Sequence, residues 1–145
     1  ANEIVLAEYC DHKNRLQGDS KTGGQAIKSH RPTSAIKTGN GTGASALRYD
    51  AEGGSITGAA YAVTVDDAQA SAAAALTAPS SNLIHFNYVQ WDRHRDKPNY
   101  IMADGHAEAL SVGETLNPDD WKWGKRAYSD RRITAITTDG TTEVK

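Results

Sequence analysis

The sequence predicts an α+β domain: an antiparallel β-sheet head with long glycine-rich loops and short helices. Three observations carry that prediction. Short apolar runs bounded by turn residues stand at Ile4–Ala7, Ala59–Val65 and Ile133–Thr137. Asp104-Gly105 separates two strand-like segments, and Asp139-Gly140 marks a further turn. The alanine-rich stretch from Ala68 to Leu76 has helical length and follows Asp66-Asp67, carboxylates suited to the positive end of a helix.

Taken in order, Ile4-Val5-Leu6-Ala7 is a continuous apolar run and reads as a buried strand. Residues 11–58 are polar and dotted with glycine (Gly23-Gly24, Gly39, Gly41, Gly43, Gly53-Gly54), which predicts a long irregular surface insertion with room for one hairpin. Asn40-Gly41-Thr42 fits a glycosylation sequon, a pattern common by chance. Ala59–Val65 returns to strand character, and the helix after it is stopped by Pro79-Ser80-Ser81. From Leu83 to Val89 the residues alternate (Leu83, His85, Asn87, Val89 against Ile84, Phe86, Tyr88), which predicts a strand. A hairpin is expected over 99–112, with Pro98 at its start and Asp104-Gly105 as a type I′ turn, both central residues at positive φ. Asn117-Pro118-Asp119-Asp120 carries the signals of a helix start, an Asn cap and Pro in the first turn. The short helix would hold Trp121 and Trp123 and end at Gly124. Ile133–Thr137 is the last strand, before a polar tail.

At 145 residues the chain reads as one domain, 1–145, able to bury about two-thirds of its unfolded surface. A net charge of −2 provides no field for nucleic acid or an anionic membrane. The basic residues of Arg93–Lys97 are interspersed with Asp92 and Asp96 and read as a solvated face. Cys10 is the single cysteine, so no intrachain disulfide forms; it reads as a buried small apolar side chain, or else as an intermolecular link. No run of about 18 apolar residues predicts a membrane span, and no signal peptide is read at Ala1.

Candidate chemistry concentrates around His94, which nine residues separate from Asp104-Gly105. Its ring is expected on the segment leading into the hairpin, folded back towards the Asp104 carboxylate. His85, His94, Asp104 and His106 are residue types that bind zinc or iron, but no pair has a recognised ligand spacing. A histidine bonded to a nearby carboxylate is the commoner arrangement. Ser111, His94 and Asp104 supply the residue types of a hydrolase triad without a Gly-x-Ser-x-Gly elbow, and no phosphate loop or dinucleotide fingerprint occurs. Trp91, Trp121, Trp123, Tyr88, Tyr100 and Tyr128 gather in the C-terminal third. Trp121 and Trp123, two apart on a helix, would point to different faces, so at least one is expected at the surface as a sugar platform or subunit contact. The plainer reading makes Trp91 and Trp121 core and Trp123 partly exposed.

Residues 94–110, HRDKPNYIMADGHAEAL, resemble the C-terminal motif of bacterial prepilin-type proteins, pilin- or pseudopilin-like, which carry a His, nine residues and Asp-Gly. Asn2–Glu8 is similar to a segment found inside the globular head of the same group. The resemblance covers mainly 83–123, with 2–8 in the matching order. It implies a non-enzymatic structural subunit of a type IV pilus-like or pseudopilus filament, located outside the cell, on its surface or in the periplasm. His94, Asp104 and Gly105 carry over as structural motif residues that hold the C-terminal hairpin against the preceding loop. The implied partners are other pilin-like subunits, as a homopolymer or with a separate helical pilin chain. Contact with a membrane would come only through a missing or partner-supplied helix packed beside Ile4–Ala7. No cofactor is implied, apart from calcium in a C-terminal loop of pseudopilin heads. The turns at Asp119-Asp120, Asp130 and Asp139 lack the alternating ligands of a calcium loop. Two features depart from the family: the hydrophobic N-terminal helix with its processing site is missing, and 11–58 has no counterpart. The alternatives from other classes are a secreted carbohydrate-binding module using exposed tryptophans and, behind it, a metal-dependent hydrolase.

Overall fold

The computed structural model describes residues 2–8, 35–37, 60–77, 86, 89–128 and 133–145. Among these, the elements are β1 (Ile4–Ala7), β2 (Ile36–Lys37), β3 (Ala60–Ala62), α1 (Val65–Thr77), β4 (Asn99–Met102), β5 (Ala107–Ala109), α2 (Val112–Thr115), β6 (Arg126–Tyr128) and β7 (Ile133–Thr137). They build a three-stranded sheet in the order β1-β4-β5 and a four-stranded sheet in the order β2-β3-β7-β6. The first is antiparallel throughout; in the second, β3 and β7 run parallel and the other pairs antiparallel. The class is therefore α+β, as the apolar runs predict.

The two sheets share one core, in which Ile4, Tyr100 and Met102 of the first join Ile36, Ala60, Ala62 and Ile136 of the second. Alternation explains β4: Tyr100 and Met102 face inward, Asn99 and Ile101 outward. β1 departs from alternation because a bulge lies between Ile4 and Leu6, which face Met102 and Ile101. The extra residue leaves both Val5 and Leu6 on the surface, at 44% and 56% exposure, although the apolar run reads as buried.

Helix α1 begins three residues before the predicted Ala68, so Asp66 and Asp67 fall in its first turn. Thr64 caps it: the Asp67 amide donates to Thr64 Oγ1 at 3.2 Å, while Asp67 Oδ2 accepts from the Thr64 amide at 2.9 Å. The same carboxylate oxygen takes the Lys37 ammonium at 2.7 Å. Asp67, Ala68, Ser71 and Ala72 make one buried face, and the small side chains let the helix lie close to its neighbours.

Four expectations change. Ala35, Ile36 and Lys37, inside the expected surface insertion 11–58, are buried and supply a strand paired with β3. Of the expected strand Leu83–Val89, Phe86 lies in a 3₁₀ turn and Val89 in a single bridge, and the Val89 amide donates to the Phe86 carbonyl at 3.0 Å. That three-residue spacing buries both side chains, which strict alternation would have put on opposite faces. No helix starts at Asn117. The Asn117 side chain accepts from the Asp119 amide at 3.1 Å, and the chain then ties to the C-terminus, Trp121 N–H to the Lys145 carbonyl at 3.0 Å. The helix forms earlier, at Val112–Thr115, where Ser111 and Glu114 make a reciprocal capping box. Lastly, the hairpin turn is not type I′. Met102 N–H donates to the His106 carbonyl at 2.9 Å and Gly105 N–H to the Met102 carbonyl at 2.9 Å. Only Gly105 of the three loop residues has positive φ, at 92°, so this is a three-residue loop with a glycine bulge. Cys10, His85, the Asn40 sequon, Pro79-Ser80-Ser81 and Asp130 lie outside the described residues.

Gly105 and Gly140, the second turn glycine, have φ of 92° and 96°. A Cβ on Gly105 would meet nothing within 4 Å, whereas on Gly140 it would sit 3.2 Å from the Tyr61 hydroxyl oxygen. Gly105→Ala is expected to cost about 1 kcal/mol and Gly140→Ala about 2 kcal/mol, the difference measured by urea unfolding.

Candidate functional site

The His94 end of the motif is organised by a residue from the other end of the chain. β1 runs antiparallel to β4 with Ala7 opposite Tyr100, so Glu8 emerges beside Asn99. Glu8 Oε1 accepts from the Asn99 amide at 2.9 Å and from Asn99 Nδ2 at 3.0 Å. Arg93 donates to Oε2 at 3.2 Å, and His94 Nε2 lies 3.3 Å from Oε1. The Glu8 carbonyl accepts from the Gln90 amide at 2.8 Å, which brings the 90–97 segment alongside. One carboxylate thus joins β1, β4 and the intervening turn.

That turn has an unusual backbone. His94, Arg95 and Asp96 all have positive φ, at 52°, 61° and 64°. A left-handed conformation costs a non-glycine residue about 1–2 kcal/mol, and consecutive cases are rare. Lys97 N–H closes the turn on the Arg93 carbonyl at 3.1 Å, and buried Pro98 returns the chain to an extended path into β4. The donors converging on Glu8 offset the strain by holding both flanks.

The hydrogen bond from the Asn99 amide, foremost, holds the Glu8 carboxyl below its ordinary value, with the Asn99 side-chain donor, the His94 ring and the Arg93 donor adding to it. A carboxyl depressed in the folded state contributes stability that is complete above about pH 5 and fades as pH falls through the folded value. Glu8→Ala is expected to cost about 2–3 kcal/mol and to speed tryptic cleavage after Arg93 and Arg95. Glu8→Gln keeps an acceptor for Asn99 but removes the charge, and is expected to flatten the acid limb of the stability curve. An unchanged acid limb in that variant would overturn the assignment.

At the other end of the motif, Asp104 engages His106. Its Oδ1 accepts from the His106 amide at 3.2 Å and contacts His106 Nδ1. The hydrogen bond from the His106 amide in particular pulls the Asp104 carboxyl down to about 2. Glu108 Oε2 lies 3.7 Å from His106 Nε2. The expected His94–Asp104 contact is thus replaced by two separate pairs, His94 with Glu8 and His106 with Asp104. His94 precedes β4 and Asp104 follows it, so the length of the strand separates the two.

The other candidate constellations come apart in the same way. Ser111 donates to Glu114 at 2.7 Å as part of the helix cap, so Ser111, His94 and Asp104 each engage a different partner. Among the described residues, no three His, Cys, Asp or Glu side chains converge as a metal set. Asp119 pairs with Lys145 at 2.6 Å and Asp120 with Lys122 at 2.8 Å. Asp139 is saturated by the amides and hydroxyls of Thr141 and Thr142, which hold its carboxyl far below the ordinary range.

Trp121 and Trp123 are both core, at 3% and 1% exposure, so neither is the surface platform; the plainer reading holds for Trp121, while Trp123 is more buried and Trp91 less buried than it has them. The expectation rested on a helix that does not form. In the irregular segment actually present, Trp123 is gripped edge-on by Phe86 (ring centroids 5.2 Å apart) and Tyr100 (6.0 Å). The sequence reading missed Glu8 as a site residue, and its place at the end of the 2–8 segment was the available signal. It also missed α2, although Ser111-x-x-Glu114 is a capping-box pattern.

Among the described residues, no helix is long and apolar enough to cross a membrane. No family model matches the chain, and neither a curated protein nor a solved structure matches it.

Proposed function

We propose that this chain is the globular head of a type IV pilin-like filament subunit, a structural protein assembled at the cell surface or in a periplasmic pseudopilus. One observation carries the reading. The two segments that resemble prepilin-type proteins, 2–8 and 94–110, lie far apart in sequence yet form adjacent strands of one sheet, joined by Glu8. The motif residues are engaged in holding the fold: His94 pairs with the Glu8 carboxylate and Asp104 accepts from a main-chain amide. His94 supports the turn, Asp104 fixes the hairpin loop, and Gly105 supplies its positive φ. The role of the motif is to set β4 and β5 against β1. Its partners are other subunits of the same kind, and membrane contact comes through a helix supplied with or beside this head.

Immunogold electron microscopy of native surface material, with antibody against this chain, tests the reading. Labelling along thin filaments is the expected result. Label on cells or vesicles with filaments left bare would overturn it.

A further inference from the structure

Strand β5 is the outer edge of its sheet, and Ala107, Glu108 and Ala109 are all exposed. Met102 N–H bonds to the His106 carbonyl and Leu110 N–H to the Pro98 carbonyl, with Tyr100 opposite Glu108. The main chain of residues 106, 108 and 110 therefore turns towards β4, and that of Ala107 and Ala109 turns outward. Among the described residues, neither alanine has a main-chain partner on that side. Natural edges are usually guarded by lysine, proline or a bulge. Here the two outward positions carry only methyl groups.

The charges beside this edge select a partner. His106 and Glu108 share one face of β5 and flank Ala107. If two β5 strands pair antiparallel about Glu108, the two carboxylates oppose each other, which is unfavourable. Pairing about Ala107 sets each His106 opposite Glu108 of the second copy, twice over. It also lets the outward Ala107 groups exchange both hydrogen bonds. On the opposite face, Leu6, Ile101 and Ala107 form an exposed row across β1, β4 and β5. The same two-fold extends that row directly into its copy.

We infer that the β5 edge is a self-association surface, where two copies of this chain join antiparallel about Ala107 into one continuous sheet. The inference deepens the filament reading and rests on it for its setting, by naming a head-to-head contact between subunits. The contact is short, so it acts when copies are already arrayed or concentrated.

Sedimentation equilibrium and amide NMR of the 145-residue chain over a concentration series test it. The expected result is a concentration-dependent dimer in which the Ala107 and Ala109 amides shift and exchange more slowly. Ala107→Pro removes an N–H that the monomer does not use, and is expected to abolish the dimer. Glu108→Lys replaces the acceptor opposite His106 with a cation and is expected to weaken the seam about three- to ten-fold, with His106→Glu/Glu108→Lys restoring it. A chain that stays monomeric to about 1 mM, or a dimer indifferent to the charge exchange, would overturn the inference. Filaments that assemble normally with Ala107→Pro would also sink it and leave the filament reading standing. A dimer with these responses, together with unlabelled filaments, would do the reverse.

Discussion

Trp123→Ala is expected to unfold the domain more readily than any other single truncation among the described residues, with a loss of about 3–5 kcal/mol. Trp123 is 1% exposed and sits between Phe86 and Tyr100, so its removal empties the contact that joins the 3₁₀ turn to β4. The surrounding groups are poorly placed to collapse. Tyr100 is fixed in β4 and Ile4, close by in the chain fold, is bonded through its amide to the Lys122 carbonyl at 2.6 Å. Trp123→Phe is expected to be much milder, below about 2 kcal/mol. It keeps a ring against both neighbours and deletes an indole N–H that is buried without a hydrogen-bond partner among the described residues. Chemical denaturation of the two variants checks the order. If the two losses are equal, the aromatic contacts are not what Trp123 contributes.

Asp67→Ala is expected to have the second large effect, about 3–5 kcal/mol, because it strands a buried cation. Lys37 and Asp67 are 9% and 8% exposed at their side chains, with 2.7 Å between Nζ and Oδ2. Asp67 also receives the amide and hydroxyl of Thr64 at the start of α1, so the variant loses part of the helix cap as well. Lys37→Met/Asp67→Ala is expected to recover most of the loss and to retain a deficit of about 1 kcal/mol from the cap. A double variant no more stable than Asp67→Ala would show that the stranded ammonium is not the cause. The pair matters for the fold because it fastens β2, a strand of two residues, to the helix that follows β3.

The same contrast runs through the motif. Asp104-Gly105 is legible as a turn because a positive-φ glycine after a short polar residue is a local requirement. Whether that turn takes two residues or three depends on which carbonyl the Met102 amide finds, which is set by register across the sheet. His94 is legible as a residue with a carboxylate partner. The identity of that partner is not, because Glu8 reaches it only through the pairing of β1 with β4. The left-handed run at His94–Asp96 has only a weak local signal: His and Asp visit positive φ more readily than most residues, but none of the three is glycine and three in a row is not a local preference. It persists because Glu8 and Pro98 hold both of its ends.

By itself, the sequence determined the parts governed by short-range chemistry. These were the α+β class, the apolar strands at Ile4–Ala7 and Ile133–Thr137, the helix after Asp66-Asp67 and the two glycine turns. Periodicity, capping and positive φ act within a few residues and leave their mark in the order of side chains. The tertiary structure decided what depends on contacts between distant segments. It turned Ile36-Lys37 into a strand and Asn117–Gly124 into a turn tied to the C-terminus, and it put Trp121 and Trp123 inside and brought Glu8 beside His94. In each case a weak local preference yielded to the larger gain from burying apolar surface and pairing main-chain groups across the fold.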